Sequence, residues 1–206
     1  MRPPTSLLIV ISAPSGGGKT TLCHQMLTRH SEMTRAVTCT TRPPRPGERD
    51  QLDYYFLSKE TFSEKLAAGE FLENATVHAH SYGILKSEVL ARLAEGKDVL
   101  LNVDVQGAAT IRKHAEADPH LRHALVTVFL TPATIGELEG RLRRRGTESP
   151  EDLERRLQNA RLEIAQWKNF QYLIISTTIA EDVRLMEAIV EAERMRQFRA
   201  EPPDLA

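Results

Sequence analysis

One short segment holds residues whose types and spacing suit a single chemistry. Ala13-Pro14-Ser15-Gly16-Gly17-Gly18-Lys19-Thr20 fits the pattern GxxxxGK[ST], except that alanine stands first instead of glycine. Consecutive glycines let backbone N–H groups converge on phosphate oxygens without Cβ clashes. A helix opening near Lys19 adds its positive end to the same point. Lys19 is placed to reach outer phosphates, and Thr20 to put a hydroxyl on Mg2+. The small Cβ of Ala13 is compatible with this loop if the backbone there avoids positive φ. All eight residues are therefore expected to bind the phosphates of a nucleoside triphosphate.

Such a loop needs a buried strand before it and a helix after it, and both are expected here. Leu7-Leu8-Ile9-Val10-Ile11 is a continuous apolar, β-branched run, as in a strand covered on both faces. A helical pattern follows over about 19–30. Further apolar runs at 98–104, 124–130 and 172–176 predict strands, separated by helical patterns at about 107–117, 134–145, 150–168 and 180–199. Pro132 and Pro150 suit helix starts. Strands alternating with helices predict an α/β fold with a parallel sheet.

An acid is expected at the end of another strand in this chemistry, and Asp104 follows Val99-Leu100-Leu101-Asn102-Val103. It suits a magnesium contact through water, a contact to the acceptor, or the cap of the next turn. Residues 38–96 break the α/β rhythm with a Pro/Arg-rich loop, the run Asp53-Tyr54-Tyr55-Phe56-Leu57 and two short helical patterns. This predicts an inserted substrate-binding subdomain. The arginine-dense stretch from Arg141 to Arg161 predicts a lid.

Composition adds boundaries. A chain of 206 residues with 41% hydrophobic and 27% charged residues suits one globular domain without staples. A net charge of −1 gives no global attraction to nucleic acid or to an anionic membrane. Cys23 and Cys39 have no disulfide or metal spacing. The first apolar run is too short for a signal peptide or a span. A cytoplasmic protein is expected, without nucleic-acid or membrane partners; monomer and homo-oligomer both remain open.

Thr40-Thr41-Arg42-Pro43-Pro44-Arg45-Pro46-Gly47-Glu48, followed by Asp53-Tyr54-Tyr55-Phe56, resembles the guanylate kinase family. So do Gly69-Glu70-Phe71-Leu72-Glu73, Tyr82-Gly83 and Asp104-Val105-Gln106-Gly107. The resemblance spans about 7–196. It implies Mg2+-dependent transfer of the ATP γ-phosphoryl group to GMP, and to dGMP. It also implies a P-loop kinase core (about 7–37, 97–138 and 170–199), an acceptor subdomain (about 38–96) and a helical lid (about 139–169).

Within that frame, Arg42 and Arg45 form a fork suited to a monophosphate, in a proline-stiffened loop. Taken alone, they also fit a solvated basic loop. Tyr54 and Tyr82 offer phenols to the same phosphate, or packing. Glu73 is implied as the reader of guanine N1–H and N2–H, with Thr38 adding a hydroxyl; without the resemblance Glu73 is a helix-surface acid. Arg141, Arg145 and Arg156 are implied at the transferred phosphates, and Arg141 and Arg145 share a helix face. Arg143 and Arg144 are expected to face solvent, and Trp167 to pack the lid helix onto the core.

Three positions depart from the family pattern. Ile84 stands where Ser or Thr is usual, Asn102 where an acid is usual, and Ser176-Thr177-Thr178 where Asn-Asp is frequent. Two other readings share the fold: a kinase for a sugar phosphate such as ribose 1,5-bisphosphate, and a non-catalytic guanylate-kinase-like binding module.

Overall fold

The computed structural model describes residues 6–77, 79–144 and 150–200. Leu8–Ser12 (β1) is buried at every position. Its alternating side chains serve two different cores, as a strand of period two covered on both faces must. Leu7, Ile9 and Ile11 pack with Met26, Met186 and Val190. Leu8 and Val10 pack with Val89, Ile111, Ala115 and Leu121.

The remaining elements follow in chain order. Lys19–Arg29 (α1), Met33–Thr34 (β2), Thr38–Thr40 (β3), Tyr54–Phe56 (β4) and Lys59–Ala67 (α2) come first. Phe71–Val77 (β5), His80–Leu85 (β6), Lys86–Ala94 (α3), Asp98–Asn102 (β7) and Val105–Ala117 (α4) come next. Pro119–Ala124 (α5), Leu125–Pro132 (β8), Ile135–Arg144 (α6), Pro150–Ile164 (α7), Tyr172–Ser176 (β9) and Ile179–Arg194 (α8) complete the described chain.

Strands β2-β7-β1-β8-β9 form one sheet, parallel throughout. Its carboxyl ends therefore lie along one edge, where ligands of open α/β sheets collect. The insert forms a second sheet, β4-β3-β6-β5. Helices α6 and α7 pack on each other through Leu138, Leu142 and Ala160, with Leu153, Leu157 and Ile164 against them. The predicted parallel α/β core is present.

Several local expectations are corrected. The insert contains a hairpin, β5–β6, where only helical patterns and a motif were legible. Its register shifts between Phe71 and Glu73, which breaks the simple alternation that marks a strand. Glu73 accordingly sits on a strand, not on a helix surface. Pro132 ends β8 and does not start a helix, because α6 begins at Ile135. Pro150 does open α7.

The last helix stops at Arg194, short of Arg199. The chain turns so that Arg199 can bury its guanidinium. It donates to the carbonyls of His123 (2.8 Å), Leu125 (3.1 Å) and Glu193 (3.3 Å) and pairs with the Glu193 carboxylate. Trp167 does not dock on the core. It is 40% exposed, in a short 3-10 turn spanning Trp167–Asn169.

Candidate functional site

The loop after β1 has the conformation its glycines imply. Gly16 and Gly18 lie at φ 85° and 98°, in the left-handed region. Gly17 is required for a different reason: an added Cβ would stand 2.9 Å from both the Ala13 Cβ and the Pro14 carbonyl oxygen. Ala13 itself is buried and does not have positive φ, so alanine is accommodated at the first position. Residues 13–21 line a cavity of 280 Å³ together with Asp104 and Glu163.

Lys19 crosses to the neighbouring strand end, where its Nζ donates to the Val103 carbonyl at 2.9 Å. Burial lowers its pKa, against the opposing pull of Asp104 and then Glu163. Asp104 takes up the capping role its position allowed. Its Oδ1 caps α4 by accepting from the Gly107 N–H at 2.7 Å, and the residue also lines the cavity. Asn102 keeps a polar contact to the loop, with Nδ2 at 3.4 Å from the Thr20 hydroxyl.

The Thr20 hydroxyl and the Asp104 carboxylate line the cavity as donors of the kind magnesium takes. Among the described residues no group of three or more His, Cys, Asp or Glu side chains forms an all-protein metal cage. One hydroxyl and one carboxylate opening on a phosphate cavity suit Mg2+, which is usually held by few protein ligands, substrate phosphates and water.

Helices α6 and α7 meet this loop at three consecutive residues. The Ser15 N–H donates to Glu163 Oε2 at 3.2 Å, although 148 residues separate them. At Gly16, Leu142 lies so close that a Cβ would stand 2.8 Å from its Cδ2. The Gly17 carbonyl accepts from Arg141 Nη1 at 3.5 Å. Arg141 also donates to the Ser176 hydroxyl at 3.1 and 3.2 Å, which in turn donates to Asp182 at 2.8 Å.

Ser176, one of the departures at the end of β9, thus holds Arg141 of α6. Arg156 lies half-buried on α7. Arg145 lies outside the described residues, and Arg143 and Arg144 are exposed as expected.

Glu163 and Asp182 do not stand out in the sequence, and Ser176 stands out only as a departure from the family pattern. Glu163 is one acid among many on a polar helix, and nothing local marks it as facing a loop so distant in sequence. Burial raises its pKa, offset by the Ser15 N–H and by Lys19, with Asp104 adding to the rise.

The insert gathers the acceptor candidates. Strand pairing places Thr38 opposite Ile84, and Ile84 opposite Glu73, so the three form one row across β3, β6 and β5. Ile84 is 7% exposed and belongs to the core cluster with Leu72, Val103 and Ala108. Glu73 rests against α4: a Cβ at Gly107 would lie 3.0 Å from its Cγ and 3.2 Å from Oε1. Burial, and then the charge of Asp104, push its carboxyl up to about 7.

In the preceding loop the Arg42 guanidinium stands 5.4 Å from the Tyr54 ring centroid, and the Tyr54 and Tyr82 rings meet edge-on at 6.4 Å. Arg42 Nη2 donates to both carboxylate oxygens of Glu48 at 2.9 Å, and the Arg45 N–H donates to Glu48 at 2.7 Å. That N–H, followed by Arg42, holds Glu48 below the usual carboxylate range. The Arg45 side chain is exposed.

A parallel sheet with a phosphate cradle after its central strand, an inserted second sheet and a helical hairpin over the loop define a P-loop kinase. The sequence matches the guanylate kinase family over residues 5–193, and the chain belongs to that family of phosphotransferases acting on nucleoside monophosphates. It is 42% identical to the guanylate kinase of Sphingopyxis alaskensis, over 94% of this chain and 85% of that protein. To the guanylate kinase of Thermotoga maritima it is 38% identical, over 93% and 89%. The crystal structure of guanylate kinase from Anaplasma phagocytophilum superposes with a TM-score of 0.69 at 28% identity, covering 95% of this chain and 90% of that one. Among the described residues no helix is long and apolar enough to cross a membrane.

Proposed function

We propose that this protein transfers the γ-phosphoryl group of ATP to GMP, and to dGMP, giving ADP and the nucleoside diphosphate. The observation that carries the reading is the Thr38–Ile84–Glu73 row, held against α4 beside the cradle. An ionised Glu73 accepts from guanine N1–H and N2–H, and Thr38 offers a hydroxyl to the base. Adenine presents an acceptor at N1 and leaves the carboxylate unpaired, a strong basis for rejection.

In this reading the loop from Ala13 to Thr20 holds the donor phosphates. Arg42, Arg45, Tyr54 and Tyr82 hold the acceptor phosphate, with Glu48 shaping the loop that presents Arg42. Thr20, with Asp104 through water, would hold Mg2+, which supplies charge neutralisation among the outer phosphates. An acceptor phosphate oxygen forms the new P–O bond, and the bond to the bridging oxygen breaks as ADP leaves. The attacking oxygen is already ionised and the bridging oxygen leaves as part of the ADP β-phosphate anion, so no protein base is needed.

Lys19 and the lid arginines Arg141, Arg145 and Arg156 stabilise charge on the transferring group. Residues about 38–96 act as the acceptor subdomain and about 139–169 as the lid, closing on the rest of the chain. The site of action is the cytoplasm.

ADP production measured across GMP, dGMP, AMP and ribose 1,5-bisphosphate tests this reading. Turnover is expected with the two guanine nucleotides. Activity confined to the sugar phosphate would sink it. So would the absence of saturable MgATP binding, which would instead mark a non-catalytic module.

A further inference from the structure

A backbone cradle built for phosphate oxygens has an oxygen anion of the protein itself at its edge. Glu163 reaches from α7 to the Ser15 N–H and lines the same cavity as residues 13–21. Lys19, which faces that cavity, is turned to the Val103 carbonyl. Its surroundings pull both ways: burial disfavours the carboxylate, the Ser15 N–H and the Lys19 charge favour it, and the nearby Asp104 disfavours it again. Such a contact yields when a better anion arrives.

The other lid contacts to the loop differ in kind. Leu142 at Gly16 is apolar, and Arg141 at Gly17 carries positive charge that a triphosphate would attract rather than expel. Of these three contacts, only Glu163 competes with the donor for a loop N–H.

We propose that Glu163 is a positioning residue that acts as a latch: its carboxylate takes the place of a donor phosphate oxygen at the Ser15 N–H, and donor binding must displace it. Displacement separates α7 from Ser15, so α7 and Arg156 move in response to the donor. The vacated N–H then serves the phosphate. The latch therefore lowers donor affinity in the resting protein and ties lid position to occupancy of the cradle. The inference rests on the loop being the donor site.

The test uses the full chain, with Glu163→Gln and Glu163→Ala beside the unaltered protein. Calorimetric titration with MgATP in the absence of acceptor is the main readout. Both variants are expected to bind MgATP about three- to tenfold more tightly, because Ala removes the competing acceptor and Gln leaves only a neutral, weaker one. GMP affinity is expected to stay unchanged. Amide exchange within 150–164 is the second readout. Without donor it should be faster in the Ala variant than in the unaltered protein, and with saturating MgATP the two should coincide.

Thermal melts check that both variants fold. If only the Ala variant is impaired, the isosteric Gln variant decides. Unchanged or weaker MgATP binding by a folded Gln variant overturns the latch and leaves the donor site standing. No saturable MgATP binding by the unaltered protein overturns both.

Discussion

The molecule has two candidate phosphate regions, and both hold a carboxylate of the protein's own. At the loop of residues 13–20 it is Glu163, from 148 residues away. In the Arg42 loop it is Glu48, six residues from its partner. Distance along the chain changes what the contact does. A carboxylate borrowed from another element ties two bodies together, and losing it frees one of them. A carboxylate inside the same loop shapes that loop, and losing it blurs the site.

The regions also differ in what specifies them. The cradle is made of backbone, with Gly17 enclosed by Ala13 and Pro14. The acceptor side is made of side chains converging from β3, β4, β5, β6 and the loop between them.

The largest effect is expected from Lys19→Ala, which removes the side-chain cation of the cradle. Turnover should fall about 10²–10³-fold, the range seen when one transition-state donor is lost. Circular dichroism should remain that of the folded protein. Near-normal turnover would mean that the backbone alone does the donor's work.

The contrast between backbone and side-chain sites is sharpened by two identical substitutions. Gly17→Ala puts a Cβ 2.9 Å from two cradle atoms, so the loop must shift. MgATP affinity should drop on the order of tenfold or more, as for misplaced phosphate donors. Gly47→Ala in the acceptor loop meets nothing within 4 Å, although its φ is 89°. It should cost about 1–2 kcal/mol of stability through backbone strain alone, read from a denaturant melt. Equal effects on MgATP binding would erase the distinction.

A third test concerns pH. Burial holds the Glu73 carboxyl at about 7 in the free protein, so the neutral form gains as pH falls below that value. Reading guanine requires the ionised form. Thus kcat/KM for GMP should fall toward a limiting slope of about tenfold per pH unit on the acid side. Glu73→Gln should lower kcat/KM for GMP and flatten this limb, while leaving MgATP affinity in place. A limb that persists in the variant assigns the titration elsewhere.

The smallest effect is expected from Glu48→Gln. If Glu48 organises the Arg42 loop, the KM for GMP should rise about threefold through lost preorganisation. A fall in KM would make Glu48 a competitor, like Glu163, and erase the difference between the two regions.

Legibility from the sequence follows the same division. The strand run at 98–104 is visible because burial on both faces leaves an unbroken apolar stretch, whereas 172–176 is visible from its apolar composition although Leu173 and Ile175 are exposed on one face. The cradle is visible because a backbone site dictates glycine at fixed spacing. Glu73 is not visible without the family resemblance, since its meaning comes from Ile84 and Thr38 across two strands.

Ser176 reads as a departure near the last strand. Its role emerges only when α6 brings Arg141 within 3.1 Å. The hairpin β5–β6 is hidden by its register shift. The end of α8 is hidden because Arg199 is held by carbonyls distant in sequence, at His123 and Leu125. Contacts made by packing leave no local periodicity to read.

The alanine at position 13 has a consequence for inheritance. Its methyl group lies where any side chain at position 17 would have to go. Lineages carrying Ala13 therefore lose freedom at position 17 that a glycine at 13 would partly restore. The order in which the two codons change is then constrained. Any viable route to a larger residue at 17 must give up the methyl at 13 and also move the Pro14 carbonyl, which stands at the same 2.9 Å, so the glycine is tied to the whole turn.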